Sequence, residues 1–428
     1  MHGSKIGWRT AAAIVIANMI GTGVFTSLGF QLVDTMNTWS ILGLWGLGAL
    51  LALCGALSYA ELGTHLLRSG GEYHFLSKMY HPSVGYLSGW VSLTVGFAAP
   101  VALAAMALGE YLETYVLPGQ LTIGIIAVLL VTLAHSLSLK KSSGFQNVTT
   151  ALKLFIILFF IASGFALPTG PTAFDWSAGW KTEIWLPAYA VSFVYVTFSY
   201  SGWNAAAYIT EEIRNARRNL PRALILGTLV VSVLYILLNV VFLRQGTLAT
   251  LQGKLEVGQV AATAMYGARG GMLLSLGIGL MLISSISAMV WAGPRVTQVM
   301  AEDHRLWHWF AVKEKGGIPL RAIWLQTAIT LVLMLTGTFE QVLLYSGFVL
   351  QLFSALAVAS VFRLRRQKGS REGFRSPWYP WPQVIFLGLS FWVLLYLFIE
   401  QPVESLLGTA NVLLGWGTYQ ISHRLNHT

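Results

Sequence analysis

The sequence predicts an all-α membrane protein of twelve transmembrane helices, arranged as a five-plus-five inverted repeat with two extra helices at the C-terminus. Three observations predict it. Apolar runs long enough to cross a bilayer follow one another along nearly the whole chain. Lysine and arginine gather in alternate connections between those runs. The first and sixth runs are each interrupted near the middle by glycine and small polar residues.

Composition sets the class. Of 428 residues, 55% are hydrophobic and only 10% charged, with a mean hydropathy of +0.64; soluble domains carry about 25% charged residues. The net charge of +10 does not describe a nucleic-acid surface, because the basic residues are spread between apolar runs, and no nucleic-acid partner is expected. The single cysteine, Cys54, lies inside an apolar run, which excludes an internal disulfide framework. The nine histidines are scattered without ligand spacing, so no metal or other cofactor is expected. His/Glu metal motifs and paired intramembrane aspartates do not occur, which argues against an intramembrane enzyme.

In order, the predicted spans fall near 8–32, 39–66, 84–115, 121–139, 145–167, 186–210, 220–243, 270–300, 320–337, 340–362, 384–400 and 402–421. The last two are short and meet at Gln401-Pro402. Residues 246–268 are too polar to span and read as an outer connection with room for a short amphipathic helix. Residues 369–383, rich in Arg, Pro and Trp, read as a juxtamembrane linker. With the N-terminus in the cytoplasm, 22 of the 27 Lys and Arg fall on the inner side. Only Lys181, Arg244, Lys254 and Arg269 fall outside, and Lys153 lies within a span. This bias places both termini in the cytoplasm of an integral plasma (cytoplasmic) membrane protein.

The first interruption is ANMIGTGVF, residues 17–25, and the second is FSYSGWN, residues 198–204. Gly costs about 1 kcal/mol in a helix interior relative to Ala, so a Gly-Thr-Gly inside a span needs a reason. Close helix packing is one. The second break supplies another. Gly21 lies 13 residues beyond Trp8, and Ser199 lies 14 beyond Trp185, with the two spans entering from opposite faces. Both breaks therefore fall near mid-membrane, the signature of inverted repeats with discontinuous helices. The repeats would cover residues 1–167 and 186–362, with 384–428 as the addition. Freed amides at a half-helix start favour a carboxylate, and freed carbonyls opposite accept from an ammonium. Two such breaks side by side suit a zwitterion such as an α-amino acid.

Three stretches carry a family resemblance. NMIGTGVF resembles the first-helix G-[ST]-G-[IV]-F motif of the amino acid–polyamine–organocation transporters. SYAELGTHLLRSGGEYHFL, residues 58–76, resembles their Y-A-E-L-G-x(5)-S-G-G-E-Y hallmark. FSYSGWNAAAYITEEIRNARRNLPRAL, residues 198–224, is similar to the pattern of the L-type branch. A looser match runs from Gly293 to Leu325, and beyond about 330 the likeness is topological. The resemblance implies a LeuT-like fold working by alternating access. It implies that Met19, Ile20, Gly21, Thr22 and Gly23 hold the ends of the substrate through backbone. Phe198 would close over the solute, and Ser199, Ser201 and Asn204 would line the other side. Ordinary span packing remains open for Phe198, and a plain interhelical hydrogen bond for Asn204.

Lys153 is an ionisable residue inside a span, a functional candidate by default, although its head is within reach of the inner interface by snorkelling. The resemblance implies that its ammonium stands where sodium-coupled relatives bind sodium, bridging the first-helix break to an eighth-helix hydroxyl, with Ser285 the candidate. A sodium-independent amino acid carrier follows, either an exchanger or proton-coupled. Glu61, Glu72, Glu211, Glu212 and Arg214 lie at inner helix ends, where they read either as inner-gate ion pairs or as solvated caps.

Departures from the family pattern refine the expectation. Ala216 replaces a proline in an inner turn. Asn204 is neutral where carriers of cationic amino acids can hold Asp, and Ser201 replaces a glycine common in members for large substrates. Small neutral L-amino acids are therefore expected. The connection ETYVLPGQ has no cysteine, so no disulfide-linked ancillary subunit is expected. A polyamine or organic-cation carrier would need a carboxylate facing the pocket, and none stands near either break in sequence. A membrane sensor that binds an amino acid without moving it is the remaining alternative.

Overall fold

The computed structural model describes residues 5–115, 119–137, 142–169, 177–312, 319–367 and 372–427. Lys140, Lys141, Lys313, Lys315, Lys368 and Arg371 of the charge pattern, and residues 116–118 of the ETYVLPGQ connection, lie outside the described residues. The described residues are mostly helical. Among the described residues the only β pairing is a single parallel bridge between Ile6 and Ile213.

The first predicted span is two helices, α1 (Trp8–Met19) and α2 (Gly23–Asp34). α3 (Thr38–His65) follows, then the short α4 (Glu72–Met79) and α5 (Pro82–Val91). A π-helical turn, Ser92–Gly96, joins α5 to α6 (Ala98–Leu112), so the third span, expected to be continuous, is distorted in the middle. Next come α7 (Gln120–Leu137), α8 (Ser142–Ala166), the single turn α9 (Trp180–Glu183) and α10 (Pro187–Ser199). α10 stops at the second break, and the chain resumes as a 3-10 helix, Ala205–Glu212, before α11 (Ala216–Gln245). α12 (Leu248–Leu251) is one turn, and α13 (Val257–Asp303) runs 47 residues with a bend at Gly267 (φ 73°). Its first ten residues are thus the short helix expected in the outer connection. A 3-10 helix, Arg305–Phe310, then leads to α14 (Leu320–Thr336), α15 (Phe339–Arg366), α16 (Trp381–Glu400) and α17 (Pro402–His427).

Among the described residues, nine helical stretches are long and apolar enough to cross a bilayer. Three predicted spans fall short of that measure for separate reasons. The sixth is cut to the 13 residues of α10, and α14 has 17. α17 is long enough, at 26 residues, but is diluted by Glu404, Asn411, Gln420, His423 and Arg424.

Local chemistry accounts for several boundaries. Asn37 starts α3 by accepting from the amides of Trp39 (3.0 Å) and Ser40 (3.4 Å), satisfying two orphan donors. Thr338 and Gln341 form a capping box at the start of α15. Proline opens α5 and α10, where its missing N–H costs nothing.

Contacts distant in sequence gather the basic segments at one end of the bundle. Ile6 pairs with Ile213, the Arg68 guanidinium lies 3.3 Å from the Asp303 carboxylate, and Arg365 pairs with Glu61. Arg305 donates to the Leu425 carbonyl at 2.8 Å, bringing the C-terminal helix to the same end as Ile6.

Candidate functional site

The two breaks lie against each other. α1 ends at Met19 and α2 begins at Gly23, leaving Ile20, Gly21 and Thr22 outside regular helix. A Cβ at Gly23 would stand 2.4 Å from the Ser199 Cα, so only glycine permits this approach. Across the crossing, Gly202 has φ +93°, and a Cβ there would come within 2.9 Å of the Asn18 backbone. The sequence therefore places glycine at both faces of one contact between the broken segments.

The backbone groups freed by the first break divide into used and unused. The Met19 carbonyl accepts from the Tyr235 hydroxyl at 2.5 Å. The Ile20 carbonyl accepts from Lys153 Nζ at 2.9 Å, and Lys153 also donates to Ser285 Oγ (2.8 Å) and more weakly to the Ala17 carbonyl (3.5 Å). The amides of Thr22 and Gly23 have no acceptor among the described residues. Lys153 is fully buried, and among the described residues no carboxylate lies within ion-pair distance. Three oxygens of the break and of α13 therefore hold its ammonium in place of a counter-ion. That geometry excludes snorkelling: the head points into the bundle.

A small cavity of about 30 Å³ opens at the crossing, lined by Asn18, Met19, Gly21, Thr22, Gly23, Phe198, Ser199, Ser201 and Ser285. That volume holds roughly two water molecules, so an amino acid needs the lining to move apart. Pro100 and Ala104 of α6 and Met289 of α13 complete the wall. Sequence reasoning missed these three, because nothing short of the fold brings the third and eighth spans to the breaks. Phe198 is buried at the rim. The Ser199 hydroxyl is already engaged, with Ser27 Oγ (2.8 Å) and the Tyr195 carbonyl (2.8 Å), whereas Ser201 is half-buried with no side-chain bond among the described residues.

Two expected lining residues stand elsewhere. Ile20 contributes only its carbonyl, to Lys153, and does not line the cavity. Asn204 also points away, its amide donating to Glu72 Oε1 at 3.2 Å. Glu72 is the larger surprise, because a carboxylate does sit near the second break. Its Oε1 gathers donors from Tyr59 (2.5 Å), Asn204 and Ser354 (3.3 Å), and it is absent from the cavity lining. Burial raises the carboxyl pKa above its ordinary value, and the hydrogen bonds from Tyr59, Ser354 and Asn204 only partly oppose this.

The expected inner-gate residues do not form one set. Glu61 belongs to a separate anchor: Arg365 donates to it at 2.6 and 2.8 Å, the Ser376 amide at 2.8 Å, and Arg365 stacks on Tyr379. Glu211 accepts from the Ser69 amide at 3.2 Å. Glu212 and Arg214 act through backbone, bonding the Ile6 amide and carbonyl at 2.9 Å each, with their side chains exposed. At the same end Arg68 pairs with Asp303, which was not among the expected gate residues and also accepts from the Tyr73 hydroxyl at 2.8 Å.

A helical membrane bundle with two crossed helix breaks around a small cavity defines a carrier of small solutes. Residues 6–417 match the family described as amino acid permease, and the chain belongs to that family. Among curated proteins it is 31% identical to the serine/threonine exchanger SteT of Bacillus subtilis, over 91% of this chain and 90% of that one. It is 30% identical to the human b(0,+)-type amino acid transporter 1, over 84% of this chain and 76% of the relative. The rat large neutral amino acids transporter small subunit 2 is 26% identical, over 97% and 80%. The expected kinship with the L-type branch is thereby met.

Proposed function

We propose that this chain is a sodium-independent carrier of small neutral L-amino acids, working by alternating access as an exchanger or with a coupled proton. The observation that carries the reading is the crossing of the two breaks. Unpaired amides at Thr22 and Gly23 suit a carboxylate, and Lys153 occupies the adjoining carbonyl cage with its own positive charge. A site already filled by an ammonium has no call for sodium. Met19, Gly21, Thr22, Gly23, Phe198, Ser199 and Ser201 are the proposed substrate contacts, with Lys153 and Ser285 as the ion-site surrogate.

Ser201 narrows the cavity, and the name of the Bacillus relative, a serine/threonine exchanger, points to substrates of that size. The polyamine reading loses support, because Glu72 spends its carboxylate on Tyr59, Asn204 and Ser354. The grouping of both termini at one end accords with an even number of crossings, and we read that end as cytoplasmic from its arginines. Within that frame we read twelve spans in a five-plus-five repeat, on the order of apolar runs and the paired breaks in the sequence. Cys54 is buried and free, so we propose function without a disulfide-linked subunit.

The test is uptake of labelled alanine into proteoliposomes with and without internal alanine, at equal and unequal pH. Stimulation by internal substrate supports exchange, and stimulation by an inward proton gradient supports symport. Uptake that requires sodium, or no uptake of any amino acid, overturns the proposal.

A further inference from the structure

We infer that the cleft between the start of α11 and the linker after α15 binds the headgroup of an anionic phospholipid. The cleft is about 560 Å³, with Arg217, Arg218 and Arg222 on one wall and Phe374 on the other. Arg217 reaches Glu372 at 2.5 Å, but the two side chains are 50% and 69% exposed, so water screens the pair. Arg218 and Arg222 stand one turn apart on one face and are exposed. Among the described residues neither has a carboxylate within ion-pair distance. Guanidinium groups bind phosphate oxygens in a planar, two-pronged geometry, and two adjacent ones suit a single phosphodiester.

Arginines alone would mark only the membrane orientation. The surface beyond them specifies the ligand. Leu226, which lines the cleft, is followed at helical spacing by Leu229, Val230 and Val233, each 42–51% exposed on the same face. From Arg222 to Val233 the helix rises ~16 Å at ~1.5 Å per residue, about half of a ~30 Å hydrocarbon core. A phosphate at the arginines would therefore carry an acyl chain along one leaflet's depth. A soluble phosphate leaves the stripe unused, and a choline headgroup brings a cation to the arginines. A phosphoglycerol headgroup satisfies both. The far wall is held in place: the Phe374 amide donates to Thr64 Oγ1 at 2.9 Å, and a Cβ at Gly373 would stand 2.3 Å from the His65 ring.

The experiment is native mass spectrometry of the full chain released from detergent, titrated with phosphatidylglycerol, phosphatidylcholine or inorganic phosphate. Wild type is expected to retain phosphatidylglycerol in preference to phosphatidylcholine. Arg218→Gln/Arg222→Gln should weaken that retention by roughly 30-fold, the effect of two basic residues near anionic lipid. Glu372→Gln removes the competing carboxylate and should strengthen it several-fold, which keeps the test open if the double variant fails to fold. Equal retention of both lipids, saturation by inorganic phosphate, or no change in either variant overturns the assignment.

Discussion

At the scale of single residues, Lys153 is the side chain on which the site turns. It is fully buried, without a carboxylate partner among the described residues, and held by Ser285 and the Ile20 carbonyl. Truncation removes a buried charge, which relieves desolvation, and at the same time frees two acceptors at the break. These effects offset in stability and do not offset in function. Lys153→Ala is therefore expected to keep a monodisperse elution profile while losing at least ~10-fold in transport rate, since ~1.4 kcal/mol of lost organisation suffices. Normal transport kinetics in that variant would make the lysine a bystander.

Glu72 gives a residue-scale prediction with a sign. Its folded pKa is raised, by burial above all, so the folded state keeps a proton that the unfolded chain has released. Its contribution is fully present below the unfolded carboxylate value and is lost as pH rises through the folded one. Thermal stability should thus fall as pH rises above the ordinary carboxylate range, and Glu72→Gln should flatten that slope. A slope that is unchanged in the variant would show that Glu72 is ionised in its nest. The residue was visible in the S-G-G-E-Y motif, but its partners were not: Tyr59, Asn204 and Ser354 come from three other elements.

At the scale of elements, the broken spans were legible because glycine and polar residues contradict the hydrophobic run around them. The near-equal distances to Trp8 and Trp185, 13 and 14 residues, pointed to a pairing of the two breaks, and Gly23 does lie against Ser199. What the chain text does not display is contact between elements far apart. The Glu61–Arg365 pair spans 304 positions, and Asp303 sat in the looser Gly293–Leu325 match with no partner indicated. The π turn at Ser92–Gly96 also escaped, because SLTVG reads as ordinary span. α10 shows the limit of hydropathy alone: its run continues past Ser199, and the helix does not.

The closest approach between elements is also the most exposed to mutation. A methyl group at Gly23 would meet the Ser199 backbone at 2.4 Å, and backbone cannot swing aside as a side chain does. Gly23→Ala is expected to cost about 1–3 kcal/mol by overpacking, read as a lower midpoint in thermal unfolding, and to abolish substrate binding. A fully functional Gly23→Ala would mean that the two breaks stand further apart than described.

At the scale of the whole molecule, the nine apolar stretches among the described residues, the basic segments at one end and the two crossed breaks accord with the amino acid permease family. The family match over residues 6–417 covers these features almost entirely. The proposed solute is a small neutral amino acid held at the crossing without sodium. Scintillation-proximity binding of labelled serine to purified wild type and Phe198→Ala, in sodium chloride and then in choline chloride, tests it most directly. Wild-type binding should be saturable, equal in both salts, displaced by alanine and threonine, and weakened in the variant. Binding that disappears in choline chloride, or that Phe198→Ala leaves untouched, would contradict it.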